Sequence, residues 1–223
     1  NTAQPVPDQE DFPGRDYSAI SFEEVRRAMR ALASQQYRNP GDILSAAVLA
    51  FGQVSGQSSP HTRWWIEKSP YNEFYAGQIF DWWPEARCIH ILRDPRDNFA
   101  SYRRKHPDWA PEFFAKNWNR STLAGIKNQT RFGKERYRIL RYEDLTRDPE
   151  KELKALTGFL RIDWDPTLVS PTRAGEQWSG NSMFAAQFQE ISSAPVARWK
   201  EKLSTEEAVV VEIGAGSLMK QCG

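Results

Sequence analysis

The segment Cys88-Ile-His-Ile-Leu-Arg-Asp-Pro-Arg-Asp-Asn-Phe-Ala-Ser101 constrains the fold of this chain more than any other. A five-residue apolar run, Cys88–Leu92, stops abruptly at Arg93 and is followed by a proline turn. Short, apolar and bounded by a turn signal, the run reads as a buried parallel strand. Pro95 suits the first position of a helix, and Asp94 suits its N-cap. This strand–turn–helix unit sets an arginine at a strand's carboxyl end and a serine, Ser101, about two turns into the next helix. In open α/β sheets ligands bind beyond the carboxyl ends of strands, where helix N-termini favour anions. Arg93 and Ser101 together therefore suit a phosphate. The alternative is an arginine paired with Asp94 or Asp97 in a surface loop.

The rest of the chain alternates in the same way. Strands are expected at Trp64–Glu67, Cys88–Leu92 and Tyr137–Arg141. Helices are expected at Asn72–Trp82, Pro95–Lys105, Ala110–Phe132 and Pro149–Leu160, the last with Leu153, Leu156, Phe159 and Leu160 facing inward. Phe113, Phe114, Trp118 and Leu123 are the main apolar residues of the long helix. Such alternation predicts an α/β fold with a parallel sheet flanked by helices. Upstream, Ser21-Phe-Glu-Glu24 reads as a capping box, and Val25, Ala28, Met29 and Leu32 follow at helical spacing. That helix is expected to end near Tyr37, before an Asn39-Pro-Gly turn, with a second helix from Asp42 to about Gln53. Residues 163–195 are Pro-, Ser-, Gly- and Asn-rich and long enough for a functional loop. Thr205–Gln221 reads as a closing helix. One domain over residues 1–223 is expected: a helical part (1–60), an α/β core (61–162), and a C-terminal loop and helix (163–223).

Four segments in order resemble the sulfotransferases that use 3′-phosphoadenosine-5′-phosphosulfate (PAPS), in their bacterial form and with a P-loop-like fold. Arg93 to Ser101 resembles their 3′-phosphate signature. Glu67-Lys68-Ser69-Pro70 resembles a Glu-Lys-Thr-Pro strand end, and Tyr142-Glu-Asp-Leu145 a Tyr-Glu-Asp-Leu strand end. Arg198-Trp-Lys200 resembles a C-terminal clasp. The likeness spans roughly residues 60–223. It implies sulfonate transfer from PAPS to a hydroxyl or amine, with adenosine 3′,5′-bisphosphate as product and no metal. It also assigns roles: Lys68 at the sulfonate, Arg93 and Ser101 at the 3′-phosphate, Tyr142 at adenine, and Lys105, Ser182 and Arg198 as further cofactor contacts. The plainer alternatives are Lys68 pairing with Glu67 or Glu73, Tyr142 as a core phenol, and Arg173, Ser182 and Arg198 as loop scaffolding.

One family element is missing. No Gly- and Ser/Thr-rich loop follows an apolar strand, although Gly52–Ser59 is Gly- and Ser-rich. The expectation is an excerpt of a longer protein, lacking the 5′-phosphosulfate loop and inactive alone. Glu67, His61, His90 and His106 are the candidates for a general base. Alternation along a Trp64–Glu67 strand would turn Glu67 away from Lys68, and His90 reads as a core histidine, so the base is expected to be absent. Glu143 and Asp144 read as caps for their own turn and the helix after it.

Charge and composition narrow the partners. Thirty Lys+Arg against twenty-nine Asp+Glu leave a net charge of +1, which argues against nonspecific nucleic-acid binding. No metal-ligand spacing occurs among the three histidines and two cysteines. No apolar run is long enough to span a membrane, and a reducing cytoplasm is the simplest setting. Nine tryptophans point to a bulky core or an aromatic-walled cleft. Small-molecule, carbohydrate, lipid and protein acceptors all stay open. Two competing readings are a P-loop kinase-like phosphotransferase, which lacks its Gly-x-x-x-x-Gly-Lys-Ser/Thr motif here, and a noncatalytic nucleotide-binding module.

Overall fold

The computed structural model describes residues 20–35, 37–58, 61–173, 176–178, 188 and 190–222. They form an α/β fold, mostly helical, with a small parallel sheet. Two compact units are distinguished: residues up to Lys68 with Ile79–Pro84, and Ser69–Gln78 with Glu85 onward.

In the first unit, α1 (Phe22–Gln35) packs on α2 (Pro40–Val54). Ser21 Oγ accepts the Glu24 N–H at 3.3 Å, and Val25, Ala28, Met29 and Leu32 are half-buried, as their spacing predicts. The Asn39-Pro-Gly stretch is not a turn before the second helix but its start. Asn39 Oδ1 accepts the Gly41 N–H at 2.8 Å, Asp42 Oδ2 accepts the Asn39 N–H at 3.2 Å, and Pro40 takes the first helical position.

The expected strand at Trp64–Glu67 does not form. Trp64 is 54% and Ile66 88% exposed, so the residues that mimic a buried strand line no sheet. Trp65 is held instead by an edge contact with Trp83, ring centres 5.6 Å apart, and Trp83 Nε1 donates to Ser45 Oγ at 3.0 Å. Three bulky apolar residues, Trp64, Trp65 and Ile66, carry a strand's composition, but a strand needs a neighbour to pair with.

The second unit begins with a 3-10 turn, Asn72–Tyr75, leading into α3 (Ala76–Trp82), whose later residues belong to the first unit. Then come β1 (Cys88–Leu92), α4 (Pro95–Lys105), α5 (Pro111–Phe132), β2 (Tyr137–Arg141), α6 (Tyr142–Arg147) and α7 (Pro149–Leu160). β1 and β2 are parallel, with Cys88 opposite Tyr137 and Leu92 opposite Arg141, so both strands end at the same level. Beyond a 3-10 turn at Pro166–Val169, the two-residue strands β3 (Thr172–Arg173) and β4 (Glu176–Gln177) pair antiparallel. The chain closes with α8 (Trp199–Lys202) and α9 (Thr205–Cys222).

The main core joins Leu92, Phe99, Phe114 and Trp118 to Val211, Ala215 and Leu218 of α9. A second cluster holds Leu140, Leu156 and Phe159, with Leu153 and Leu160 against it, as the helical spacing predicts. Phe113 and Leu123, expected among the apolar contacts of α5, are exposed; Phe113 instead sets its edge against Trp109. Two glycines let α5 pack closely. A Cβ on Gly125 would meet the His90 ring at 3.0 Å, and one on Gly214 would lie 2.7 Å from the Ala115 Cβ.

Candidate functional site

The β1–α4 turn is built as its sequence implies. Asp94 is the N-cap of α4, with Oδ1 accepting the Arg96 N–H at 2.8 Å, and Pro95 follows at the first helical position. Asp94 does not pair with Arg93. Its carboxylate takes the Arg96 side chain instead, at 3.1 and 2.7 Å. The Asp94 N–H donates to Glu143 Oε1 at 2.8 Å, so a buried carboxylate at the start of α6 ties together the ends of both strands. Glu143 thus serves the neighbouring turn rather than its own. The following helix, α7, is capped by Asp148, whose Oδ1 accepts the Lys151 N–H at 3.3 Å.

Arg93 is thereby freed to reach across the carboxyl end of the sheet. Its Nη1 lies 3.5 Å from Ser101 Oγ, and its Nη2 donates to the Pro195 carbonyl at 3.0 Å. The guanidinium carbon sits 4.5 Å above the centre of the Tyr142 ring. Arg93 Nε is buried and finds no hydrogen-bond partner among the described residues. A buried unpaired N–H costs free energy that an incoming acceptor recovers. The Arg93 carbonyl accepts Trp118 Nε1–H at 3.0 Å, which pins the turn to the core.

Around this arginine the structure gathers several residues singled out in the sequence. Ser101 is half-buried and donates to the Asp97 carbonyl at 3.1 Å. Tyr142 is half-buried. Burial pushes its phenol up, while the positive charges of Arg93 and Arg198 pull it down. Lys105 is exposed in the last turn of α4, one turn beyond Ser101. Lys68 belongs to the first unit and is exposed at the end of an extended segment. Ser182 lies outside the described residues. Arg173 falls in β3.

Two further groups escape a motif reading. The Pro195 carbonyl is a backbone atom in a loop 102 residues from Arg93, and loop closure leaves no local signal. Asp97 is 1% exposed and accepts the N–H groups of Ala197 at 2.7 Å and Trp199 at 2.8 Å. Burial pushes its carboxyl up, opposed by those two N–H groups and by Arg93. Its spacing from Asp94 is visible in the sequence, but not its partners.

The candidate bases are dispersed. His90 Nδ1 lies 3.0 Å from the Tyr137 hydroxyl, and burial holds its imidazole below the ordinary value. His106 stacks on Trp109, ring centres 4.8 Å apart. His61 and Glu67 are exposed. Without a strand at Trp64–Glu67, alternation no longer turns Glu67 away from Lys68. The Gly- and Ser-rich Gly52–Ser58 stretch begins in the last turn of α2 and does not follow a strand; the N–H groups of Gln57 and Ser58 fold back on the Gly52 carbonyl at 2.9 and 3.0 Å. Among the described residues no group of three His, Cys, Asp or Glu could hold a metal ion. No described helix is long and apolar enough to cross a membrane.

Comparison with known proteins bears on the family and the fold. None of the curated proteins matches the chain. Among solved structures, the fold is similar to a sulfotransferase domain from the curacin biosynthetic pathway: TM-score 0.51, 18% identity, 85% of this chain and 78% of that one covered. It is similar also to a sulfotransferase domain from the Synechococcus PCC 7002 olefin synthase, with TM-score 0.50 and 22% identity, covering 84% of this chain and 74% of that one. The family model matches residues 5–166, taking in the N-terminal helices that the motif resemblance left out and stopping short of Arg198. Over that span, which includes Arg93, Ser101 and Tyr142, the chain belongs to the sulfotransferase family.

Proposed function

We propose that this protein is a bacterial-type PAPS-dependent sulfotransferase, moving a sulfonate from PAPS to a hydroxyl or amine acceptor. The observation that carries the reading is Arg93 at the end of β1, with Ser101 Oγ 3.5 Å from its Nη1 and a buried Nε left unpaired. A fixed guanidinium fork with an unpaired Nε–H is suited to a phosphate oxygen, and the serine hydroxyl supplies a second donor once it turns from the Asp97 carbonyl. In this reading the pair holds the 3′-phosphate. The Tyr142 ring, already beneath Arg93, borders the adenine, and Arg198 adds charge from the C-terminal side. Lys105 and Ser182 are further cofactor contacts.

The reaction needs no covalent intermediate. The acceptor's oxygen or nitrogen bonds to sulfur as the bridging S–O bond breaks and adenosine 3′,5′-bisphosphate leaves, and the acceptor's proton passes to solvent water. Catalysis is then a matter of positioning and of neutralising charge on the transferring group. Lys68 is assigned the second task. The acceptor is a small molecule, a carbohydrate or a protein side chain. Cys88 and Cys222 are both free thiols, which accords with a cytoplasmic setting. Because Gly52–Ser58 makes no strand-to-helix phosphate loop, residues 1–223 are assigned nucleotide binding and are not expected to turn over alone.

Calorimetry tests this reading. Adenosine 3′,5′-bisphosphate is expected to bind more tightly than AMP, which has the same base and 5′-phosphate. Equal affinity for the two would remove the 3′-phosphate site and, with it, the case for PAPS.

A further inference from the structure

The carboxylate of Asp97 faces no ligand in the reading above, yet it is one of the most deeply buried charged groups in the second unit. At 1% exposure it sits in the first turn of α4, one turn before Ser101. A carboxylate there would ordinarily face its own helix's N–H groups. Instead both oxygens reach the loop before α8, Oδ2 to the Ala197 N–H at 2.7 Å and Oδ1 to the Trp199 N–H at 2.8 Å. The loop is bent to meet them. Ala197 adopts φ 61°, a left-handed conformation that is uphill for a residue with a Cβ, so surrounding contacts must impose it.

The same loop is tied down on both sides of Ala197. Pro195 gives its carbonyl to Arg93 Nη2 at 3.0 Å. The Trp199 ring lies under the Arg96 guanidinium, 4.3 Å from its carbon, and Arg96 pairs with Glu212 of α9 at 3.1 Å. Between these anchors stands Arg198, flanked in the chain by the two N–H groups that Asp97 holds. One carboxylate therefore sets both the carbonyl that aims Arg93 and the backbone that carries Arg198.

We infer that Asp97 is a positioning residue, a latch that docks the 195–199 loop onto α4 and thereby holds Arg93 and Arg198 together as one anion-binding unit. It touches no nucleotide and acts through the loop. The inference rests on the nucleotide reading of the Arg93 site. It adds that affinity for the 3′-phosphate depends on a segment beyond the residues matched by the family model.

Titration calorimetry with adenosine 3′,5′-bisphosphate and with AMP, on wild type, Asp97→Asn, Arg198→Ala and the double variant, tests it. The introduced amide would keep one acceptor and set an N–H against the other backbone donor. Asp97→Asn is expected to lose about tenfold in affinity for the bisphosphate while AMP changes less than about twofold, the scale of one charge-assisted hydrogen bond. The double variant should bind no more weakly than the weaker single one, because Arg198 contributes only when the loop is latched. A wild-type preference retained in Asp97→Asn, or losses that multiply in the double variant, would overturn the latch and leave the nucleotide site standing. Absence of any preference in the wild type would overturn the nucleotide reading beneath it. Should Asp97→Asn fail to fold, amide exchange in the wild type decides: the Ala197 and Trp199 N–H groups should slow with the bisphosphate and not with AMP, and unchanged rates would refute the latch.

Discussion

The Arg93 guanidinium lies 4.5 Å above the ring of Tyr142, so the residues that follow β1 and β2 meet face to face. Parallel pairing in register makes this possible. Leu92 stands opposite Arg141, and the next residue of each strand projects into the same space. The ring faces the cation, while the guanidinium edge engages Ser101 and the Pro195 carbonyl and leaves Nε unpaired.

That geometry separates the ring of Tyr142 from its hydroxyl. Tyr142→Phe keeps the cation–π face and is expected to change affinity for adenosine 3′,5′-bisphosphate by less than about threefold. Tyr142→Ala removes it and should cost roughly 0.5–2 kcal/mol. Calorimetry on the two variants checks the order; a Phe variant as weak as the Ala variant would give the role to the hydroxyl.

In the proposed site Ser101 would supply a neutral donor beside the charged one of Arg93. Ser101→Ala is expected to weaken the bisphosphate by about 0.5–1.5 kcal/mol and to leave AMP unchanged. An equal loss for both nucleotides would move the serine away from the 3′-phosphate.

His90 makes stability depend on pH. Burial holds its imidazole below the ordinary 6.5, with Glu73 pulling the other way. The unfolded chain therefore takes up a proton near 6.5 that the folded chain resists. Stability from this group is present above that pH and lost as pH falls through the lowered folded value. Denaturation at pH 7.5 and 5.5 should show a larger loss for wild type than for His90→Gln; identical losses would contradict it.

The close approach of α5 to β1 is equally exposed to test. A Cβ on Gly125 would sit 3.0 Å from the His90 ring, so Gly125→Ala must push the helix or the ring aside. The expected destabilisation is roughly 1–3 kcal/mol by denaturant melts. A variant as stable as wild type would mean that the His90 ring gives way freely.

Much of this is legible in the sequence because its signals are local. β1, α4, β2 and α7 fall where apolar runs, N-caps and prolines set them. Arg93, Ser101 and Tyr142 stand out because strand ends are marked by a change in residue type. Trp64–Glu67 misleads since aromatic and β-branched residues look alike whether they pair in a sheet or stand exposed. Asn39-Pro40-Gly41 carries the same residues as a turn and as a capped helix start. Asp97 and the Pro195 carbonyl stay hidden because their partners are about a hundred residues away and one member of each contact is a backbone atom. Periodicity and spacing report on neighbours along the chain, not on loops that fold back.

The central claim is that Arg93 grips a 3′-phosphate, and a thermodynamic cycle tests it directly. Calorimetry of wild type and Arg93→Ala, each with adenosine 3′,5′-bisphosphate and with AMP, isolates the coupling between the guanidinium and that one phosphate. A coupling of about 1.5–3 kcal/mol is expected, with Arg93→Ala keeping only the smaller preference that the remaining donors supply. A coupling near zero, with Arg93→Ala still preferring the bisphosphate as strongly as wild type, would contradict the account.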